Sequence, residues 1–167
     1  MSKNLSEYHE VVSKIINLLS EKQAWYETFE HEPVRTSEEA AKVRSGYTLA
    51  QGSKAIIIKA KISADVREFI MLIVPGDKKF DNKKVKKVIG AKDITFASEQ
   101  DVADVTGGVK VGGVPPFGNL FGLEVYADPT VFENEKIIFN AGDRSFSIGM
   151  KSKDYIRIVN PKVAEIV

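Results

Sequence analysis

Cysteine is absent from the sequence, which excludes disulfides, zinc–thiolate sites, iron–sulfur clusters and thiol nucleophiles. Only two histidines occur, His9 and His31, too distant in the chain to suggest a histidine metal centre, so no metal or other cofactor is expected. Long apolar runs are missing as well. The stretch from Phe69 to Val74 is among the longest, far short of the roughly 20 residues that cross a bilayer. The amino terminus lacks a basic-then-apolar signal pattern, so a cytoplasmic protein with no membrane partner is expected. A large charge of either sign is missing too. The net charge of +1 argues against indiscriminate coating of nucleic acid and leaves room for a local basic patch. The available chemistry is that of Lys, Asp, Glu, Ser, Thr and backbone amides.

With 43% hydrophobic residues in 167, the chain can bury a core as one domain spanning 1–167, and a monomer is the default expectation. Tyr8, Val12, Ile15, Ile16 and Leu19 recur at helical spacing over 6–23, with Asn4 and Glu7 placed as a capping box. Trp25 to His31 reads as a strand ended by Glu32-Pro33. Thr36-Ser37-Glu38-Glu39 opens a short helix through Ala40, Ala41 and Val43. Lys54 to Ala60 and Phe69 to Val74 form a β-branched hairpin of central strands. Val85, Val88 and Ile89 make an apolar stripe on a lysine-rich helix ended by Gly90. Ile94 to Ala97 follows as strand, then a helix from Ser98 and Asp101 to Gly107. Strands over Leu123 to Ala127, Lys136 to Asn140 and Ser145 to Met150 complete the pattern, with a turn at Ala141-Gly142-Asp143-Arg144. Ser152 is expected to cap a closing helix to about Val159. These elements indicate a mixed α/β (α+β) domain with a curved, largely antiparallel sheet flanked by helices.

Two features stand apart from this scaffold. The stretch Val111-Gly112-Gly113-Val114-Pro115-Pro116-Phe117-Gly118 combines glycines that let a backbone approach a ligand with prolines that stiffen it. It suits a pre-formed pocket wall, and the same composition also describes a tight connection between strands. The order Glu32-Pro33 with Thr36 to Ala41, then Gly52-Ser53-Lys54-Ala55-Ile56-Ile57, then Gly112 to Gly118, then Asn140-Ala141-Gly142 resembles the YbaK/aminoacyl-tRNA synthetase-associated domain family. The likeness covers nearly the whole chain, the first helix being weakly marked. Free-standing editing proteins and the insertion domain of bacterial prolyl-tRNA synthetases share this pattern.

The resemblance implies an aminoacyl-tRNA deacylase that hydrolyses the ester of a mischarged tRNA in trans, with the acceptor end as its partner and a synthetase as a further one. It implies that Lys54 pairs with phosphate or ribose, and that the terminal adenosine's own hydroxyl assists the water. An aminoacyl ester is already activated, so hydrolysis needs positioning and oxyanion stabilisation more than a protein nucleophile. Backbone N–H groups of Gly112 and Gly113 are the catalytic candidates beside Lys54. Val114, Pro115, Pro116, Phe117 and Gly118 are the candidates for holding the aminoacyl moiety. Asn140 stands where other members carry Ser or His, which leaves the preferred amino acid open, and the residue also suits simple turn shaping.

His31 is a further candidate near the implied pocket entrance, while His9 and Lys59 are expected at the surface. Asp143 reads as a turn acid or a ligand for a substrate amino group. Trp25, Tyr26 and Phe29 suit core packing or base stacking, with core favoured for at least two. Lys78, Lys79, Lys83, Lys84, Lys86 and Lys87 read as a solvated helix face or a contact for acceptor-stem phosphates. A binding module for a tRNA end or nucleotide without turnover, or a synthetase-associated interaction domain, is the alternative reading.

Overall fold

The computed structural model describes residues 4–167. The helices are α1 (Glu10–Glu21), α2 (Ser37–Val43), α3 (Asn82–Ile89), α4 (Glu99–Thr106) and α5 (Ser152–Val159). The strands are β1 (Tyr26–Glu30), β2 (Ser53–Lys61), β3 (Arg67–Pro75), β4 (Asp93–Phe96), β5 (Glu124–Ala127), β6 (Lys136–Asp143), β7 (Phe146–Lys151) and β8 (Lys162–Val163). This is the expected mixed α/β class. The strands divide into two sheets, ordered β1-β7-β6 and β4-β2-β3-β5-β8, meeting at a parallel bridge between Gly52 and Ile138. Pairing is antiparallel except for β3–β5 and β5–β8.

The five-stranded sheet is covered on both faces, which explains why β2 and β3 are nearly continuous apolar runs. Ile57, Met71 and Ile73 face a core shared with α1, β6 and β7. Ile58, Ala60, Ile70, Leu72 and Val74 face the opposite way, under Val85 of α3. On α1, Val11, Val12, Ile15 and Leu19 are buried, each stabilising the fold by roughly 1.5–3 kcal/mol. The helix lies against β6, where Gly142 is required: a Cβ there would come within 3.0 Å of Val11.

Several local expectations change. The Asn4–Glu7 capping box closes a separate 3-10 turn at Leu5–Glu7, and α1 is capped by His9. Its Nδ1 accepts from the Val11 amide at 3.1 Å, and its Nε2 lies 2.9 Å from the Gly107 carbonyl. His9 is therefore a clamp between α1 and the end of α4, where a surface residue was expected. Strand β6 continues through Ala141 and Gly142 to Asp143 with a bulge after Asn140, because these two extra residues are absorbed inside the ladder. Ser152 sits inside α5 and donates to the Asn134 carbonyl instead of capping. Val88 is left exposed beside the buried Val85. Among the described residues no helix is long and apolar enough to cross a membrane.

Candidate functional site

Where the two sheets meet, α2, the start of β2, the loop at 111–114 and Asn140 of β6 enclose a cavity of about 200 Å³. That is small beside the roughly 300–1,000 Å³ of typical ligand pockets, so it suits the end of a ligand better than a whole nucleotide. Its wall includes Arg35, Arg44 and Lys54 and no carboxylate or imidazole among the described residues. The field inside is therefore cationic.

Arg44 forms the floor. It follows α2 at the i+4 position from Ala40 and continues that buried face, so it is only 7% exposed. Its Nε donates to Ser147 Oγ at 2.9 Å and its Nη2 to Asn140 Oδ1 at 2.8 Å. No carboxylate pairs with it among the described residues, an unusual condition for a buried charge. Burial pulls its pKa down to about 10, which still leaves it cationic at neutral pH. The Nη1 group has no hydrogen-bond partner among the described residues and lies beside Gly52 at the cavity wall. Ser53 Oγ, next along the wall, is buried and likewise without a partner among them. Buried polar groups are normally satisfied, which makes Ser53 Oγ an exception, while Arg44 Nη1 is not among the buried unpaired atoms and remains open to a further acceptor.

Asn140 is held from both ends. Its Oδ1 receives Arg44 and lies 3.1 Å from Ser147 Oγ, while its Nδ2 donates to the Gly112 carbonyl at 2.6 Å. This pattern fixes the amide orientation, because a flipped amide would set N–H groups against a guanidinium. His31 stands behind this network, outside the cavity wall. Its Nε2 is 2.8 Å from Ser147 Oγ and its Nδ1 2.8 Å from the Glu32 carbonyl. Burial, with the nearby Arg44 charge assisting, lowers its pKa even though the Glu32 carbonyl favours the proton. Neutral His31 then donates from Nδ1, and the single hydroxyl proton of Ser147 is shared between His31 Nε2 and Asn140 Oδ1.

Lys54 also lines the cavity. Its Nζ donates to the Lys78 carbonyl at 2.6 Å, which fixes the ammonium at the cavity edge with donors to spare. Burial depresses its pKa, with Lys79 adding to the effect and Glu38 and Asp77 opposing it. Ser53, the residue before it, opens β2 opposite Pro75.

The loop splits into two functional halves. Gly112, at φ +90°, and Val114 line the cavity, and the Gly112 amide has no acceptor among the described residues. The Gly113 amide is committed to the Lys110 carbonyl and the Gly113 carbonyl to the Gly142 amide. Pro115, Pro116, Phe117 and Gly118 are buried away from the wall. The Phe117 ring packs 5.4 Å from Phe139 and 5.7 Å from Tyr155, and Tyr155 donates its hydroxyl to the Pro116 carbonyl at 2.6 Å. Gly118 admits no side chain, since a Cβ would lie 2.5 Å from Val125. This half anchors the loop in the core.

The structure thus brings Lys54, Gly112, Val114 and Asn140 to one cavity, places His31 and Gly113 one contact behind it, and places Pro115 to Gly118 beneath. Arg44 and Ser53 are additions. The signal for Arg44 was its spacing from Ala40 on a short amphipathic helix. Asp143 accepts from the Ser145 amide and shapes the hairpin end. Trp25 is exposed under Lys136, with Tyr26 and Phe29 partly buried. Lys59, expected at the surface, is half-buried and pairs with Asp101 at 3.4 Å. Among the described residues no group of acidic or histidine side chains is placed to hold a metal.

Comparison with known proteins identifies the family. Residues 31–158 match the aminoacyl-tRNA editing domain. The multifunctional Ser/Thr-tRNA deacylase ProXp-y of Escherichia coli K12 is 34% identical over 151 residues, 90% of this chain and 89% of that protein. A proline–tRNA ligase of Ralstonia pickettii is 27% identical over 125 residues, 75% of this chain and 20% of the ligase. A crystal structure of a proposed trans-editing enzyme for prolyl tRNA synthetase superposes with a TM-score of 0.79 at 20% identity, covering 95% of this chain and 97% of that one. The chain belongs to the aminoacyl-tRNA editing domain family.

Proposed function

We propose that the cavity is the site where the ester of a mischarged tRNA is hydrolysed in trans, and that seryl and threonyl esters are its preferred class. The chain is an aminoacyl-tRNA deacylase by its family and by its likeness to the Escherichia coli Ser/Thr-tRNA deacylase. The observation that carries the finer reading is the convergence of Lys54, the Gly112 amide and the Arg44–Asn140 floor on one carboxylate-free cavity.

In this reading Lys54 holds the phosphate or ribose of the terminal nucleotide as a point charge. The Gly112 amide faces the ester carbonyl and stabilises the oxyanion as water adds to the carbonyl carbon. The carbon–oxygen ester bond then breaks, and the leaving ribose oxygen takes a proton. No side chain on the wall is a carboxylate or imidazole, so a proton of the attacking water is relayed through the substrate's own vicinal hydroxyl, or through solvent, to the leaving ribose oxygen. The free Arg44 Nη1 and Ser53 Oγ supply donors that a hydroxyl side chain satisfies and a methyl leaves unpaired.

A deacylation panel of seryl-, threonyl-, alanyl- and cysteinyl-tRNA tests the assignment. The expected order places seryl and threonyl esters first, with Lys54→Ala slowing each of them while the fold is retained. Hydrolysis of none of the four would replace the reading with a binding role for the same cavity.

A further inference from the structure

A second feature lies on the face of the five-stranded sheet that Lys54 shares. We propose that the exposed ring of Phe96, backed by Phe80 at the head of a lysine-rich segment, stacks an unpaired base of the RNA 3′ strand while the esterified end occupies the cavity. This rests on the deacylase reading and extends it to how the strand is held.

Side chains alternate along β2, so Lys54, Ile56 and Ile58 share one face. Lys54 and Ile56 line the cavity. Ile58 belongs to the apolar cluster under α3, against which Ile56 and Phe80 pack. Ile58 is paired with Phe96 on the neighbouring edge strand. One row of side chains therefore leads from the cavity to Phe96, about 13 Å along four residues.

At 70% exposure Phe96 is the most solvent-exposed large hydrophobic residue of the described chain. Its ring is held edge-on by Phe80, centroids 5.5 Å apart, which fixes the orientation of its open face. The surrounding charge is strongly one-sided. From Lys78 to Lys92 there are seven lysines against one aspartate, while the whole chain carries +1. Asp81 is already engaged as the cap of α3. The basic segment is tied to the cavity, since Lys78 supplies the carbonyl that Lys54 holds. Asp77 precedes this segment and Glu99 follows Phe96 at the start of α4, while Asp93 pairs with Lys61 on the opposite face of β4.

Protein interfaces are depleted of lysine around their apolar centres. An exposed aromatic face next to a lysine-rich segment is instead the arrangement that binds single-stranded nucleic acid, by sequence-tolerant stacking and phosphate neutralisation. A tRNA 3′ end supplies both unpaired bases and phosphates.

The test measures fluorescence anisotropy with two uncharged RNA hairpins of identical stem, one blunt and one with a four-nucleotide 3′ tail. Wild-type protein should prefer the tailed hairpin. Phe96→Ala should weaken it by about 5- to 100-fold and leave the blunt hairpin unchanged, and Phe96→Trp should restore binding. Lys83→Ala and Lys87→Ala should weaken both hairpins and flatten the salt dependence by about 0.7 for each phosphate no longer neutralised. On aminoacyl-tRNA, Phe96→Ala should raise KM with little change in kcat, while an aminoacyl-adenosine ester is hydrolysed as by wild type. Equal wild-type affinity for the two hairpins, or an undiminished preference in Phe96→Ala, overturns the proposal. So does a Phe96-dependent dimer with unaltered RNA binding, which makes this edge a seam between copies. Loss of tailed-hairpin binding in Phe96→Ala alongside a wild type inactive on every ester would sustain the shelf and remove the catalytic reading.

Discussion

Arg44→Lys separates recognition from scaffolding at the floor of the cavity. Arginine bridges Ser147 Oγ and Asn140 Oδ1 with two different nitrogens and keeps Nη1 facing the cavity. Lysine keeps the charge but concentrates its donors on one atom, so it can serve one of these acceptors and cannot also present a third donor. A hydrogen bond involving a charged group is worth about 1.5–3 kcal/mol net, and one such bond disappears from the protein interior. Urea unfolding should therefore show a destabilisation of about that size. Removal of the Nη1 donor falls only on substrates bearing a hydroxyl, and the same energy corresponds to about a 10- to 100-fold drop in the ratio of kcat/KM for seryl-tRNA over alanyl-tRNA. Single-turnover deacylation of the two esters measures this ratio directly. A variant that is destabilised yet keeps the wild-type ratio would refute the recognition role and leave Arg44 as scaffold.

Lys54→Ala should lower kcat/KM on every cleavable ester by about 10- to 100-fold, for removal of one charge-assisted hydrogen bond, with Lys54→Arg recovering only part because its planar fork cannot retain the Lys78 carbonyl in the same geometry. His31 has a depressed folded pKa, so the unfolded chain takes up its proton first as pH falls below about 6.5. Its contribution to stability should decline from there down to the folded pKa. Thermal melts between pH 5 and 8 should show that decline, and His31→Gln should reduce its slope. Phe117→Ala removes a fully buried ring between Phe139 and Tyr155 and should cost about 3–5 kcal/mol in chemical denaturation.

Much of the scaffold was legible because its signals are local. The Thr36 and Ser98 caps, the Gly90 and Gly107 stops and the β2–β3 hairpin are written within a few neighbouring residues. The division into two sheets was not, because it depends on Gly52 meeting Ile138, a contact with no local pattern. His9 misled for the same reason, since its partner Gly107 is remote in sequence. At the site, motif order placed Lys54, Gly112, Val114 and Asn140 together, but could not tell which half of the loop faces inward. Gly112 and Phe117 belong to one stiff segment, and only the packing against Phe139 and Tyr155 assigns Phe117 to the core. Arg44 was not among the residues singled out from the sequence. Its burial is licensed by Ser147, 103 residues later, and no reading of α2 by itself contains that residue.

The cavity's position at the joint of the sheets has a consequence for specificity. Lys54 belongs to the five-stranded sheet and Asn140 to the three-stranded one, with Arg44 reaching across from α2 to the latter. The distance between Lys54 and the Arg44–Asn140 floor is thus set by how the sheets meet, at Gly52 and Ile138. Gly52 tolerates little change there, since a Cβ would lie 3.2 Å from the Leu49 carbonyl and 3.7 Å from Arg44 Nη1. Gly52→Ala removes no functional group, yet it pushes the wall toward the guanidinium that a side-chain hydroxyl would meet. Displacements of about 1 Å at such a site cost up to about 100-fold in rate. Gly52→Ala should therefore discriminate against threonyl-tRNA, whose extra methyl needs the space, more than against seryl-tRNA. Equal losses on both esters would mean that the sheet joint supports the fold without setting the width of the cavity.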